Sequence, residues 1–171
     1  PSRARNLYVM NLDGSGRRKI ADNSREPCWK ADSSAIAYLP GELPTFTYSD
    51  FATKGLRIHT LKSAETREHP NKEIHHLYTL CWTPDGKWFV ATVHGGMGFK
   101  HGILALEADG PGVHDLKLGG CRPDVSPDGK RIAWGNGDCA LGVADLDFSG
   151  TPRALNARNV VESQDPMETY H

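Results

Sequence analysis

Apolar and polar residues alternate along this chain in short runs, and each run stops at a cluster of Gly, Pro, Asp or Ser. A period of two over a handful of residues predicts β-strands. No stretch sustains the 3.6-residue period of a helix. Three segments share one design: CWKADSSAIAYL from Cys28, CWTPDGKWFVAT from Cys81 and DVSPDGKRIAWG from Asp124. In each, an apolar residue (Trp29, Trp82 or Val125) precedes a polar turn and then an alternating strand. The turns are Pro84-Asp85-Gly86 and Pro127-Asp128-Gly129, with Asp32-Ser33-Ser34 as a degenerate copy. Proline presets φ and Asp-Gly supplies a positive-φ position, so each turn is expected to fold its flanks into a tight hairpin.

A second unit follows each hairpin. NLYVMNLDGSG, GLRIHTLKSAE, GILALEADGPG and LGVADLDFSG read as alternating strands, most of them ending in an acidic-Gly or Ser-Gly turn. A short weaker strand comes next: RRKIA, TREHP, VHDLKL and TPRAL. The order is strand a, tight turn, strand b, variable loop, strand c, turn, strand d. The repeat measures 53 residues from Trp29 to Trp82 and 43 from Trp82 to Val125, the excess lying in the b–c loop PGELPTFTYSDFATKG. Four strands in roughly 40–45 residues is the unit of a β-propeller blade. The expected fold class is therefore all-β, a propeller segment of four-stranded antiparallel blades. A plain β-sandwich is the alternative, and the fixed order of the repeated hairpins argues against it.

Composition agrees. A 38% hydrophobic share with 18 Gly and 11 Pro favours short strands and frequent turns. Twenty Lys+Arg against 21 Asp+Glu give a net charge of -1, which provides no basic field for nucleic acid. No apolar run approaches the ~20 residues of a spanning helix, so no membrane insertion is expected. The N-terminal PSRARNLYVMNLDG enters a strand pattern at once and does not read as a signal peptide; a cleaved signal upstream stays open.

The segments WTPDGKWFVA and SPDGKRIAW, each followed by strands of the LYVMNLDGSG type, resemble the TolB-like propeller repeat, a WD-like Pro-Asp-Gly hairpin family. The resemblance covers nearly the whole chain and implies fold more than function. Its members include periplasmic scaffolds, propellers of prolyl-oligopeptidase-type peptidases, oligogalacturonate lyases with a histidine-rich metal site, and redox enzymes carrying a propeller domain. On this reading residues 1–24 are strands c and d of a preceding blade. Residues 25–70, 71–119 and 120–156 are three full blades, and 157–171 are a connection and the start of the next. The chain is expected to be an incomplete ring from a parent of six to eight blades.

Antiparallel order puts the d–a connections and b–c loops at one end of each blade. His75, His76, His94 and His101 of the second full blade should gather there, together with Arg25 and Glu26 and with Asp138 and Cys139. Imidazoles converging at a channel mouth suit a divalent metal or acid–base work. Their spacing matches no ligand pattern, and ordinary loop histidines are the competing reading. Gln164 and His171 lie near the next d–a connection without an assignable role. The glycine loop from His94 to Gly98 precedes a strand and not a helix, which argues against a phosphate loop. No G-x-S-x-G elbow marks a hydrolase nucleophile.

The four cysteines form no CxxC pair. Cys28 and Cys81 occupy equivalent inner-strand positions too far apart for a bridge and are expected to be core thiols. If Val125 pairs near Arg131, Cys121 falls opposite Gly135 and close to Cys139. An intrablade Cys121–Cys139 disulfide would indicate an oxidising compartment. The four tryptophans are expected to pack between blades.

The functional expectation is a binding or scaffolding module in a periplasmic or extracellular bacterial protein, with no catalysis in this segment. Its partner would be another protein, a ligand, or the remaining blades of the same propeller. The alternative is the propeller portion of an enzyme, either a metal-dependent oligosaccharide lyase or a redox or peptidase enzyme with its chemistry elsewhere.

Overall fold

A computed structural model of the chain describes residues 5–41, 55–137 and 139–163. Fourteen strands and no helix occur among them. The loop insertion between Pro40 and Gly55 therefore lies almost wholly outside the described residues, as do Asp138, Gln164 and His171.

The strands form four antiparallel sheets. A two-stranded sheet pairs β1 (Leu7–Val9) with β2 (Arg18–Ala21). The first four-stranded sheet runs β3 (Ser24–Trp29), β4 (Ala35–Pro40), β5 (Arg57–Thr60), β6 (Thr66–Glu68). The second runs β7 (Leu77–Trp82), β8 (Trp88–His94), β9 (His101–Glu107), β10 (Val113–Asp115). The third runs β11 (Cys121–Val125), β12 (Arg131–Gly135), β13 (Ala140–Asp147), β14 (Arg153–Glu162). Every neighbour in a sheet is a neighbour in sequence, the meander of a propeller blade. Between blades, β3 touches β7 and β7 touches β11, so strand a is innermost. The described sheets make an open arc and not a closed ring.

The hairpins follow the expected chemistry. Gly86 and Gly129, both at φ +72°, donate their N–H to Thr83 and Ser126 carbonyls at 2.9 and 2.8 Å. Asp85 and Asp128 brace the turns by accepting from the Lys87 and Lys130 amides and from the Thr83 and Ser126 hydroxyls. In the degenerate copy Ser33 takes the glycine position, at φ +58°, and donates to Lys30 at 2.9 Å. Asp32 accepts from the Ser34 amide and hydroxyl, and these bonds hold its carboxyl down to about pKa 2.

Both faces of the middle blade are buried, which explains the near-continuous apolar runs of β8 and β9. Phe89, Ala91, Val93, Leu104 and Leu106 pack towards the first full blade, against Ala37, Leu39, Leu56 and Ile58. The alternate residues Val90, Ile103 and Ala105 pack towards the third blade, against Ile132, Trp134 and Ala144. Trp82 lies against the first of these cores and Trp88 against the second, where it stacks on Phe148 with ring centroids 5.5 Å apart. Trp134 is buried over Gly142, its cross-strand partner; a Cβ there would meet the indole at 2.5 Å. Trp29, by contrast, is 52% exposed.

Trp29 thus departs from the expected packing between blades, and two further features differ from the sequence reading. Strand β14 runs on to Glu162, paired with β13 as far as Ala140, so residues 157–162 extend the third blade's strand d. The Cys121–Cys139 disulfide is not formed, and all four thiols are free. Cys121 does sit opposite Gly135, but Gly135 in turn pairs with Leu141 on its other side. Cys139 enters strand c, and its carbonyl accepts from Ser163 beyond strand d. Strand b thus stands between the two cysteines. Two strand spacings, about 9–10 Å, exceed the ~7 Å limit for a bridge.

Candidate functional site

The inner strands share an irregularity that alternation alone does not reveal. In each, the pairing register slips once, between Arg25 and Cys28, between Tyr78 and Cys81, and between Cys121 and Asp124. At each slip one non-glycine residue adopts a left-handed backbone: Glu26 at φ +53°, Thr79 at +49° and Arg122 at +56°. Bulges of this kind turn backbone amides out of the ladder and re-aim side chains. At Thr79 and Arg122 the amides are caught by the preceding blade. The Thr79 N–H donates to Glu26 Oε2 at 2.9 Å, and the Arg122 N–H donates to Thr92 Oγ1 at 3.0 Å. The Thr92 and Thr79 hydroxyls are themselves hydrogen-bonded at 2.8 Å. Arg25 is buried, with Nη2 donating to the Leu77 carbonyl across the seam at 3.0 Å. Its guanidinium is therefore engaged between blades, and not displayed for a partner as the sequence reading expected.

The four histidines come together at one end of the middle blade. His94 and His101 close the β8–β9 ladder as cross-strand partners, with rings 4.7 Å apart. The His94 amide donates to the His76 carbonyl at 2.9 Å, which ties the d–a connection to the b–c hairpin. His75 and His76 meet edge to face at 4.9 Å. Tyr78 completes the group, its hydroxyl 3.0 Å from His101 Nε2 and its ring 6.2 Å from that of His94.

Hydrogen bonds fix the chemistry of His75. Its Nδ1 lies 2.6 Å from the Glu73 carbonyl, which only accepts, so Nδ1 carries the proton. Nε2 is then the acceptor for the Met97 N–H at 3.2 Å. With both nitrogens engaged, His75 has no lone pair to offer a metal. His76 keeps a buried Nδ1 without a hydrogen-bond partner. Burial, then the neighbouring His75 and His94, lower the His76 pKa; burial and then His94 lower that of His101. Among the described residues no group of three or more His, Cys, Asp or Glu side chains is arranged to hold a metal ion. The geometry suits imidazoles that exchange hydrogen bonds and offer ring faces.

Sequence reasoning missed two histidines. His69 is fully buried, with Nε2 donating to the Glu107 carbonyl of the next blade at 2.6 Å and Nδ1 accepting from the Asn71 amide at 3.1 Å. Burial is the main cause of its lowered pKa. His59 bonds Thr66 across β5–β6 at 2.8 Å. His59 occupies an alternating position within a strand, the one signal that pointed inward. His69 carries no such signal.

Cys28 and Cys81 are core thiols whose pKa values burial raises, that of Cys81 to about 12.

No family model matches the chain. Dipeptidyl-peptidase 5 of Porphyromonas gingivalis is 46% identical over 41 residues, which is 22% of this chain and 6% of that protein. The fold is similar to that of the acylaminoacyl peptidase of Pyrococcus horikoshii, with a TM-score of 0.59 at 13% identity over 92% of this chain and 28% of that one. A structure from a study of two prolyl endopeptidases gives a TM-score of 0.61 at 14% identity, covering 92% of this chain and 26% of that one. An oligogalacturonate lyase in complex with manganese gives 0.52 at 14% identity, over 94% of this chain and 42% of that one. At such identities the likeness shows the β-propeller fold alone, and this chain spans less than half of each of these proteins.

Proposed function

We propose that this propeller segment is a binding or scaffolding module of the TolB-like repeat type. It presents the d–a and b–c end of its blades to a protein or ligand partner. The observation that carries this reading is the cluster of His75, His76, His94, His101 and Tyr78 at one end of the middle blade. Partly exposed rings held on the strands and their hydrogen-bonded connection supply large contact area at little conformational cost. Beneath them, the seam bonds of Glu26, Thr92 and Arg25 hold the blades in register. A bacterial, extracytoplasmic setting is part of the proposal and rests on the repeat resemblance.

Photo-crosslinking tests it. A crosslinking residue placed at Lys100 or His101 on the loop end should capture the physiological partner. One at Lys87 or Lys130, in the opposite hairpin turns, should not. Equal capture from both ends would refute the assignment of the face.

A second reading has its own support. The local identity to a dipeptidyl peptidase and the likeness to two peptidase structures favour the propeller portion of a peptidase whose chemistry lies on another domain. Labelling of the full-length parent by a serine-reactive fluorophosphonate would support it, and a parent without such labelling would refute it.

A further inference from the structure

The b–c turn of the third blade holds a chemically labile pair, Asn136 followed by Gly137. Of the seven asparagines in the chain, Asn136 alone precedes a glycine; the others precede Leu, Leu, Ser, Lys, Ala and Val. Both residues of the pair are exposed. Gly137 stands at φ +77°, where any other residue is strained, so the turn itself demands the glycine. Open space surrounds it: a Cβ built there would meet nothing within 4 Å. Nothing on Gly137 therefore shields its backbone nitrogen from the Asn136 side chain. Asn136 Nδ2 donates to Asn159 Oδ1 at 2.8 Å, but that bond joins two exposed side chains and water replaces it at little cost.

In an asparagine the side-chain Cγ and the next backbone nitrogen close a five-membered ring when they bond. The Gly137 nitrogen, having lost its proton to solvent base, attacks Asn136 Cγ. The N–Cγ bond forms, the Cγ–Nδ2 bond breaks, and Nδ2 takes protons from water and leaves as ammonia. Water then opens the succinimide at one of its two carbonyls. Cleavage of the new N–Cγ bond gives aspartate; cleavage of the original backbone bond gives isoaspartate, in which the chain runs through Cγ. One water is consumed, one ammonia is released, and nothing is oxidised or reduced.

The neighbours that resemble this site are protected. The Asn71 side-chain amide is held on both sides, its Oδ1 accepting from the Glu73 amide and its Nδ2 donating to the Pro111 carbonyl. After Asn23, the Ser24 amide is engaged by the Arg5 carbonyl. The Asp-Gly turns carry carboxylates, which have no ammonia to release and resist attack by a nitrogen. Their oxygens are tied to the Lys87 and Lys130 amides as well.

We propose that Asn136 is a deamidation site, converted by solvent water to isoaspartate and aspartate, and that conversion adds a negative charge to the loop end and loosens the turn. The product has no Nδ2, so Asn159 Oδ1 loses its donor. If Asn159 reverses its amide to serve the new carboxylate, it gives up its own Nδ2 bond to Glu162 Oε1, which is 2.7 Å long. Isoaspartate also inserts a backbone atom into a turn closed by the Asn136 N–H to the Ala140 carbonyl at 2.9 Å. Little room exists to absorb it, since a Cβ on Gly120 of the adjoining d–a connection would meet Asn136 Cα at 3.1 Å. The site lies on the end assigned to binding above, but its chemistry is measured without a partner, so its failure leaves the binding reading standing.

The experiment ages the chain at 37 °C and pH 7.5 and follows each asparagine by peptide mapping, with isoaspartate identified by enzymatic methylation of the digest. Asn136 should convert at least about tenfold faster than any other asparagine, the factor carried by a barrier lower by about 1.4 kcal/mol. Its rate should rise in proportion to hydroxide. Asn136→Gln keeps a side-chain amide but cannot close the five-membered ring, so that position should stay unconverted over the same period. Conversion at Asn136 no faster than at Asn71 would overturn the proposal, and so would a rate indifferent to pH. Hydrogen exchange on fresh and aged protein tests the consequence. Protection of the Asn136 amide should fall by about tenfold in the aged form, as for the loss of one ordinary hydrogen bond, while β8 and β9 hold. Unchanged protection in fully converted protein would refute the loosening, and so would an equal loss in aged Asn136→Gln.

Discussion

Removing the Glu26 carboxylate tests whether the bulges are seams between blades or incidental irregularities. Glu26 stands in the left-handed region at φ +53°, a conformation that costs a non-glycine residue about 1 kcal/mol. The position is tolerated because its Oε2 accepts the N–H of Thr79, itself left-handed at +49°, across the gap between the first and second blades. A hydrogen bond to a charged group contributes about 1.5–3 kcal/mol. Glu26→Ala keeps the backbone strain and orphans the Thr79 amide, so it should cost about 2 kcal/mol. Glu26→Gln retains a neutral acceptor and should lose about half of that. Glu26→Gly forfeits the bond but relieves the strain by about 1 kcal/mol, which leaves it near Gln and above Ala. Urea denaturation followed by tryptophan fluorescence would rank the set, with the slope checked for constancy so that midpoints report stability. An Ala variant within about 0.5 kcal/mol of wild type, typical of a neutral surface site, would refute the reasoning. A Gly variant more stable than wild type would show that strain outweighs the bond.

Three other outcomes follow from the packing. Gly142→Ala drives a Cβ into the buried Trp134 indole and should cost about 1–3 kcal/mol; pairing it with Trp134→Leu should recover part of the loss, and strict additivity in the double mutant would sink the idea. Ser33→Gly, at the left-handed corner of the degenerate hairpin, should raise stability by about 0.5–1 kcal/mol in thermal melts, and a lowered melting temperature would count against the strain assigned there. His69 is buried, and burial holds its folded pKa below the ordinary histidine value of about 6.5. Its contribution to stability is therefore complete above pH 6.5 and is lost as pH falls from there through the folded value, because the unfolded chain binds the proton more readily. Stability measured between pH 7.5 and 5 should drop less steeply in His69→Gln than in wild type, and equal slopes would clear His69 of that role.

How much of this protein could be read from its residues depends on the distance over which each feature is decided. The hairpins at Asp85-Gly86 and Asp128-Gly129 were legible because Asx bonds and positive φ act within five residues. The a-b-c-d order, the innermost position of strand a and the register of Cys121 with Gly135 followed from counting outward from those turns. Antiparallel alternation also sufficed to place His75, His76, His94 and His101 at one end of a blade. Local counting could not foresee what one blade does to the next. The left-handed bulges at Thr79 and Arg122 are stabilised by side chains from the preceding repeat, 53 residues away for Thr79 and 30 for Arg122. The burial of His69 depends on the Glu107 carbonyl, 38 residues on. The extra length of β14 depends on a partner strand that continues beside it, and the separation of Cys121 from Cys139 on the strand that runs between them. Turn chemistry lies in the chain itself and so fixed the blade. Which buried polar groups find partners is settled only when blades meet, and that meeting gave the histidine-rich end its geometry.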